Sequence, residues 1–324
     1  MLNYPIKFNP ILKEKIWGGE KLKKILHKKT AKHNVGESWE LSSIKGNVSV
    51  VSNGSLKGLS LTEIIEIYKS DLVGVDVYER FGNTFPLLFK FIDAKENLSV
   101  QLHPNDEIAS KRHGSFGKTE MWFVMDADDN SELNIGFSEP MNPEKYKQAI
   151  EGKNILEKLN FEKVTKGDSF FIKEGLVHAI GAGCLIAEIQ QTSDVTYRIY
   201  DWDRVDSEGN ERALHTDLAM EALDYGAVGA EKCSYQKEIN QPSNIVVCDY
   251  FITNYLKIKD SFTRDLSHVL SFFVYICVKG SGTICVLGNI ENIEAGETVL
   301  VPAKTGAVKI CSSEMELLEI SINY

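Results

Sequence analysis

The sequence predicts a mainly β protein, built from β-barrel or jelly-roll modules with a few helical additions. Two observations carry that expectation. Many short apolar or alternating runs are bounded by turn residues, and only a few segments space their apolar residues as a helix does.

From the N-terminus, the first ~55 residues read as short strands and loops, on the pattern of alternation and turn signals. Val48 to Val51 alternates weakly before the turn signal Asn53-Gly54. Leu61 to Tyr68 has helical spacing, with Ser60 or Thr62 able to cap it. Phe85 to Ile92 is continuously apolar but for Lys90, and its length and Pro86 suit a buried strand. Leu98 to His103 alternates and stops at Pro104. Asn105 to His113 reads as a short helix, Gly114 to Gly117 as a loop, and Glu120 to Met125 as strand. Asn142 to Leu159 is helical in period and interrupted by Gly152. Ser169 to Ile172 and Leu185 to Ile189 are strands, and Thr216 to Leu223 is a helix. From Asn244 onward come short strands with turn glycines at 280, 282, 288, 296 and 306.

At 324 residues the chain exceeds one ordinary core, so two packed modules are expected. The best boundary lies near 226–244. That places a first module at 1–230, with helical insertions about 60–75 and 140–160, and a second at 240–324.

The composition is that of a globular protein, with 43% hydrophobic and 25% charged residues. A net charge of -10 argues against general nucleic-acid binding, which needs clustered cations. A small phosphorylated ligand needs only a few local ones. The run Lys21, Lys23, Lys24, Lys28, Lys29 and Lys32 reads as a solvated face. None of the six cysteines forms a CxxC pair, so a thiolate zinc knuckle is not expected. Cys277 and Cys285 flank a glycine-containing turn and read as small buried hydrophobes. No signal core and no membrane-length apolar stretch is seen, so a cytoplasmic protein with free thiols is expected.

The residues able to carry chemistry are Gln101, His103, Lys118, Glu120 and His178. Gln101 and His103 are two apart on a strand and face one way, as do Lys118 and Glu120. Each alone has a plain reading: His103 at the surface, His178 a hydrogen-bonded core histidine, Glu120 a solvated carboxylate. Together, two imidazoles, a carboxylate and an amide oxygen make a mixed shell for zinc, iron or manganese.

The frame around them is more specific. Gly167-Asp168-Ser169-Phe170-Phe171-Ile172-Lys173-Glu174-Gly175-Leu176-Val177-His178 resembles the second cupin motif, with Lys173 where the motif has Pro. Gln101, His103 and Glu120 resemble the first cupin motif, with Gln in place of its first His and an insertion before the Glu. The Gln-x-His-Pro start, Gly117-Lys118-Thr119-Glu120-Met121-Trp122 and Gly175-Leu176-Val177-His178-Ala179 together resemble the type I mannose-6-phosphate isomerases, in their short bacterial form. Ile16 to Gly19, Gly36 to Ser42, Phe85 to Lys90 and Ser193 to Arg198 match as well.

The resemblance covers residues 5 to 205 densely and the remainder loosely. It implies two cupin-type jelly-roll barrels and one zinc per chain on Gln101, His103, Glu120 and His178. It further implies Arg198, Lys118 and Glu188 as catalytic residues, and a sugar phosphate as the small-molecule partner. The chain departs from longer members at Arg198-Ile199-Tyr200-Asp201-Trp202, where they have a glycine-rich tail. Gly296 to Gly306 echoes the motif with Pro302, but residue 307 is Ala307 where a histidine would follow. That reads as a second, degenerate cupin module without a metal site. The competing expectations are an iron-dependent cupin oxygenase using His103, Glu120 and His178, and a sugar-phosphate-binding cupin without turnover.

Overall fold

The structure, a computed structural model, describes residues 2–205, 208–229 and 231–323. Ala230, within the boundary expected at 226–244, lies outside them. Three antiparallel sheets form the bulk of the molecule. The first runs, in spatial order, Ser169–Ile172, Glu120–Ala127, Cys184–Gln191, Leu87–Ala94, Ile11–Gly19 and Val35–Leu41. The second runs Tyr197–Tyr200, Val100–Leu102, His178–Ile180, Glu132–Phe137 and Leu159–Lys163. The third is built from Ser243–Val247, Ile252–Asp265, Ala307–Ser321, Phe273–Val286 and Asn289–Glu294, with Thr298–Val301 also paired to Phe273–Val286.

The mainly β expectation holds, but the antiparallel sheets are open and packed rather than closed into barrels. Closure needs the two edge strands of a sheet to pair in a fixed stagger. Facing sheets bury the same inner surfaces without that demand, and they leave a gap between them at one end. The strand Leu87–Ala94 is buried along its whole length, as a central strand covered on both faces must be.

Local chemistry explains the helices. Ser60 caps Leu61–Tyr68, accepting from the Glu63 backbone N–H, while the Glu63 carboxylate accepts from the Ser60 backbone N–H. Asn105 caps Asp106–His113, and Gly114 ends it in the left-handed region. Pro143–Glu151 starts on an Asn142 cap with Pro at its first position, and it stops at Gly152. The short helices Ser70–Val73 and Val75–Phe81 complete a helical segment leaning on the third sheet. There the Ala303 N–H donates to the Leu72 carbonyl.

One apolar cluster runs from Phe85, Phe89 and Met121 of the first sheet to Tyr255, Val274 and Leu318 of the third. The N-terminal segment is tied to the same sheet. Ile6 and Leu300 exchange both backbone hydrogen bonds, at 2.8 and 2.9 Å. Lys7 pairs with Glu297 at 2.8 Å.

Two expectations need correction here. The lysine run is not wholly solvated. Lys28 is buried, 2.7 Å from Glu40 and 2.6 Å from the Gly296 carbonyl, and Lys21 bridges Asp126 and Asp128 at 2.8 Å each. Cys277 and Cys285 do not flank a turn but lie on one strand, Phe273–Val286, whose register shifts near Gly280. A Cβ at Gly280 would stand 2.4 Å from the Glu314 carbonyl oxygen, so this glycine permits close strand approach.

Candidate metal centre and active site

Two rows of side chains face each other across the gap between the first and second sheets. In the first sheet Trp39, Lys90, Glu188 and Trp122 are successive register partners on neighbouring strands. In the second, Arg198, Gln101 and His178 are likewise side by side. The Trp122 and His178 rings meet edge to face, with centroids 5.3 Å apart. Between the rows lies a cleft of about 720 Å³, its solvent-open mouth included. Gln101, Lys118, His178, Glu188 and Arg198 line it together with Lys15, Glu37, Trp39 and Arg212.

At the base of this arrangement His103, Glu120 and His178 converge. All three are buried, and their candidate ligand atoms lie within 4.8 Å of one another. His103 Nε2 is 3.5 Å from one Glu120 oxygen and His178 Nε2 is 3.6 Å from the other. The backbone fixes both rings. His103 donates from Nδ1 to the Val195 carbonyl at 2.9 Å, and His178 from Nδ1 to the Leu176 carbonyl at 2.9 Å. With the proton held on Nδ1, each Nε2 lone pair points at Glu120.

The tight loop before His178 needs Gly175 at φ +80. A Cβ there would sit 2.7 Å from the Ala222 carbonyl oxygen. Its N–H donates to the His103 carbonyl at 2.8 Å, so one turn places both imidazoles.

The donor set fits a divalent cation. His103 Nε2 and both Glu120 oxygens are buried without a hydrogen-bond partner, an arrangement expensive to maintain for its own sake. Separations of 3.5 and 3.6 Å suit ligands that each reach a shared ion at about 2.0–2.2 Å. Burial, then the Lys118 charge, holds His103 well below the usual histidine range. Burial pushes His178 down to about 4, so both rings are neutral and able to ligate. Burial and the Glu188 charge push the Glu120 carboxyl up to about 7, against the pull of Lys118 and Lys90. Gln101 completes the neighbourhood, its amide end 3.5 Å from His178 Nε2.

Glu188 behaves differently. Burial would raise its pKa, but the Lys90 and Lys118 charges outweigh that and hold it down to about 2. Its oxygens accept from Lys90 at 2.9 Å and from Trp122 Nε1 at 3.1 Å. Lys118 lies 3.2 Å from Glu120. Arg198 donates to the Ala213 carbonyl at 2.9 Å, its Nε is buried without a partner, and it has no carboxylate partner among the described residues. Arg212 and Arg204 both clasp Asp201.

Every residue singled out from the sequence thus reaches one place. Sequence reasoning missed Lys90, Glu37, Trp39, Lys15 and Arg212 as parts of the site. Lys90 had a signal, as the one charge in the apolar run Phe85 to Ile92. Arg212 had none, since it sits in a loop without periodicity.

A family profile described as phosphomannose isomerase type I, catalytic domain, matches residues 6–148. Mannose-6-phosphate isomerase ManA of Bacillus subtilis is 33% identical over 313 residues, 96% of this chain and 96% of its own length. The mannose-6-phosphate isomerase of Streptococcus mutans is 33% identical over 302 residues, 92% of each chain. Among solved structures, the mannose 6-phosphate isomerase from Bacillus subtilis matches with a TM-score of 0.88 at 30% identity, over 99% of this chain and 100% of that one. A putative mannosephosphate isomerase from Archaeoglobus fulgidus shares the fold, with a TM-score of 0.79 at 21% identity over 98% of this chain and 97% of its own.

Proposed function

The chain belongs to the type I phosphomannose isomerases, and on that premise we propose that it interconverts D-mannose 6-phosphate and D-fructose 6-phosphate, using one zinc ion held by Gln101, His103, Glu120 and His178. The observation that carries this reading is the convergence of His103, Glu120 and His178, buried with Lys118 as the one charge paired to Glu120 among the described residues, beside a cleft lined with Lys118, Glu188 and Arg198. Two imidazoles, a carboxylate and an amide oxygen suit zinc with a position left for substrate. Turning the Gln101 amide about its last bond brings its oxygen toward His178 Nε2. When bound, zinc supplies Lewis-acid polarisation of the sugar oxygens on C1 and C2.

The reaction moves a proton between C2 and C1 of the open-chain sugar through a cis-enediol. A base in the cleft must take that proton and return it. Glu188, committed to Lys90 and Trp122 and held near 2, is a weak acceptor. We propose Lys118 and Glu188 as the two candidates for the shuttle: Lys118, a cation at rest, accepts a proton only after it has given one up, and Glu188 also fixes the charge of Lys90 behind it. Arg198 has a planar fork without a carboxylate partner, so it receives the enediolate oxygens or the phosphate. We place the catalytic module at 1–230 and a degenerate one at 240–324. Six free cysteines suit a reducing compartment such as the cytoplasm.

The test is a coupled assay of mannose 6-phosphate turnover before and after chelation, with zinc then restored. Turnover that stops on chelation and returns with zinc supports the proposal. A zinc-loaded protein with no turnover overturns it.

A further inference from the structure

We propose that the third sheet holds a second ligand pocket, for a small neutral polyhydroxylated molecule of the monosaccharide or polyol class. Its basis is a line of polar side chains on the inner face of a sheet that is otherwise apolar there. Asn244, Asn254, Glu319 and Tyr275 are successive register partners on four neighbouring strands. They are joined in series. Asn244 donates to Asn254 at 2.7 Å, Asn254 to Glu319 at 3.0 Å, and the Tyr275 hydroxyl to Glu319 at 2.9 Å. Two residues further along these strands the same face is Leu256, Leu317 and Cys277, part of a buried apolar cluster. Glu319 is fully buried, and Arg264 reaches it at 3.2 Å. The Arg264 Nε is buried and has no hydrogen-bond partner.

Asn244 and Asn254 of this line border a cavity of about 360 Å³, in the size range of small-molecule sites. Arg264, Asn244, Asn254 and Ser321 supply its polar wall, and Phe273 and Leu270 its apolar one. Asp76, carried by the helix Val75–Phe81, stands at its edge.

The charges select the ligand. Arg264 is already matched by Glu319 and Asp76 adds a further negative group, so a phosphate or carboxylate would have to rely on the exposed His268, and only in its protonated form. Hydroxyls, in contrast, can donate to Asp76 and the amide oxygens and accept from Arg264 and the amide N–H groups. The C–H faces of such a molecule would pack on Phe273 and Leu270. The catalytic cleft has the opposite character, with Lys118 and Arg198 facing the ligand.

The experiment is isothermal titration of the zinc-loaded full chain with D-mannose, D-fructose and D-glucitol, in saturating mannose 6-phosphate to fill the catalytic cleft. We expect one of the three to bind with a Kd of about 1–10 mM, unaffected by the sugar phosphate. Asn244→Leu, at an exposed position of the pocket, should weaken that binding about tenfold or more while isomerase turnover stays unchanged. Arg264→Met should weaken it too, with circular dichroism reporting whether the fold is kept. The inference is overturned if none of the three probes binds, if mannose 6-phosphate displaces the bound probe, or if Asn244→Leu leaves the affinity unchanged. Failure of the isomerase proposal would show in the coupled assay, whereas the effect of Asn244→Leu on probe binding decides this inference by itself.

Discussion

Replacing Lys90 by methionine keeps the length of the side chain and removes its charge. Lys90 and Glu188 are both buried, 2.9 Å apart, and Gln190 accepts from the same ammonium at 2.5 Å. The variant leaves the Glu188 carboxylate in the interior with Trp122 Nε1 as its one remaining donor in that network. Breaking a buried pair in this way costs about 3–5 kcal/mol. Unfolding entropy of about 2.1 cal/mol/K per residue gives roughly 0.7 kcal/mol/K for 324 residues. Melting should therefore fall by about 4–7 °C at neutral pH.

The pH dependence has a definite sign. In the parent, Glu188 is held at about 2 against an ordinary 4.5. Its contribution is thus complete above 4.5 and is lost as pH falls through 2. In the variant burial is opposed only by the Lys118 charge and the Trp122 N–H, so the carboxyl rises from about 2, takes a proton more readily in acid and relieves part of the cost. The deficit should shrink as pH is lowered toward 4.5. Scanning calorimetry of both proteins at neutral and mildly acidic pH measures this. Adding Glu188→Gln to Lys90→Met should recover more than half of the loss. A deficit below about 1 kcal/mol, or a double variant no better than the single, would refute the account of the pair.

Three other variants test the site. His178→Ala should lose metal and turnover together, by at least the roughly 100-fold that weaker, outer-shell changes produce; full metal content by mass spectrometry would remove His178 from the ligands. Arg198→Ala should keep its metal and lose about 10²–10³-fold in turnover, whereas an unchanged kcat with a raised KM makes Arg198 a phosphate anchor. Gly175→Ala forces a side chain into φ +80 against the Ala222 carbonyl. It should destabilise by about 1–2 kcal/mol and loosen metal binding through His178; a melt and a metal titration identical to the parent's would contradict the role given to that turn.

Much of this was legible in the sequence because the signals are local. Ser60 with Glu63 and Asn105 before Asp106 mark helix starts within four residues. Gln101 and His103 declare a shared side by spacing alone. What the sequence hides is register. Lys90 and Glu188 stand 98 positions apart, and only the pairing of Leu87–Ala94 with Cys184–Gln191 makes them neighbours. Lys28 looks like one more lysine in a charged run until Glu40 and Gly296 are folded against it. Gly280 carries the composition of a turn, yet it serves as the thin spot where two long strands approach. The candidate metal ligands were legible because a motif supplied the long-range information that spacing lacks. Arg264 and Glu319 had no motif, and nothing in either neighbourhood announces the other.

The tie between the N-terminal segment and the third sheet also sets an order of events during synthesis. Lys7 and Glu297 are 290 residues apart, and Ile6 waits for Leu300. On a ribosome, Ile6 emerges long before Leu300, so its main-chain groups wait for that partner. Contacts of such span close slowly because the loop they seal is 290 residues long. A nascent chain halted before Gly296 would leave both the main-chain groups of Ile6 and the Lys28 ammonium without these partners. Joining Ile6 to Leu300 is then a later step than pairing the strands that carry Glu120 and His178.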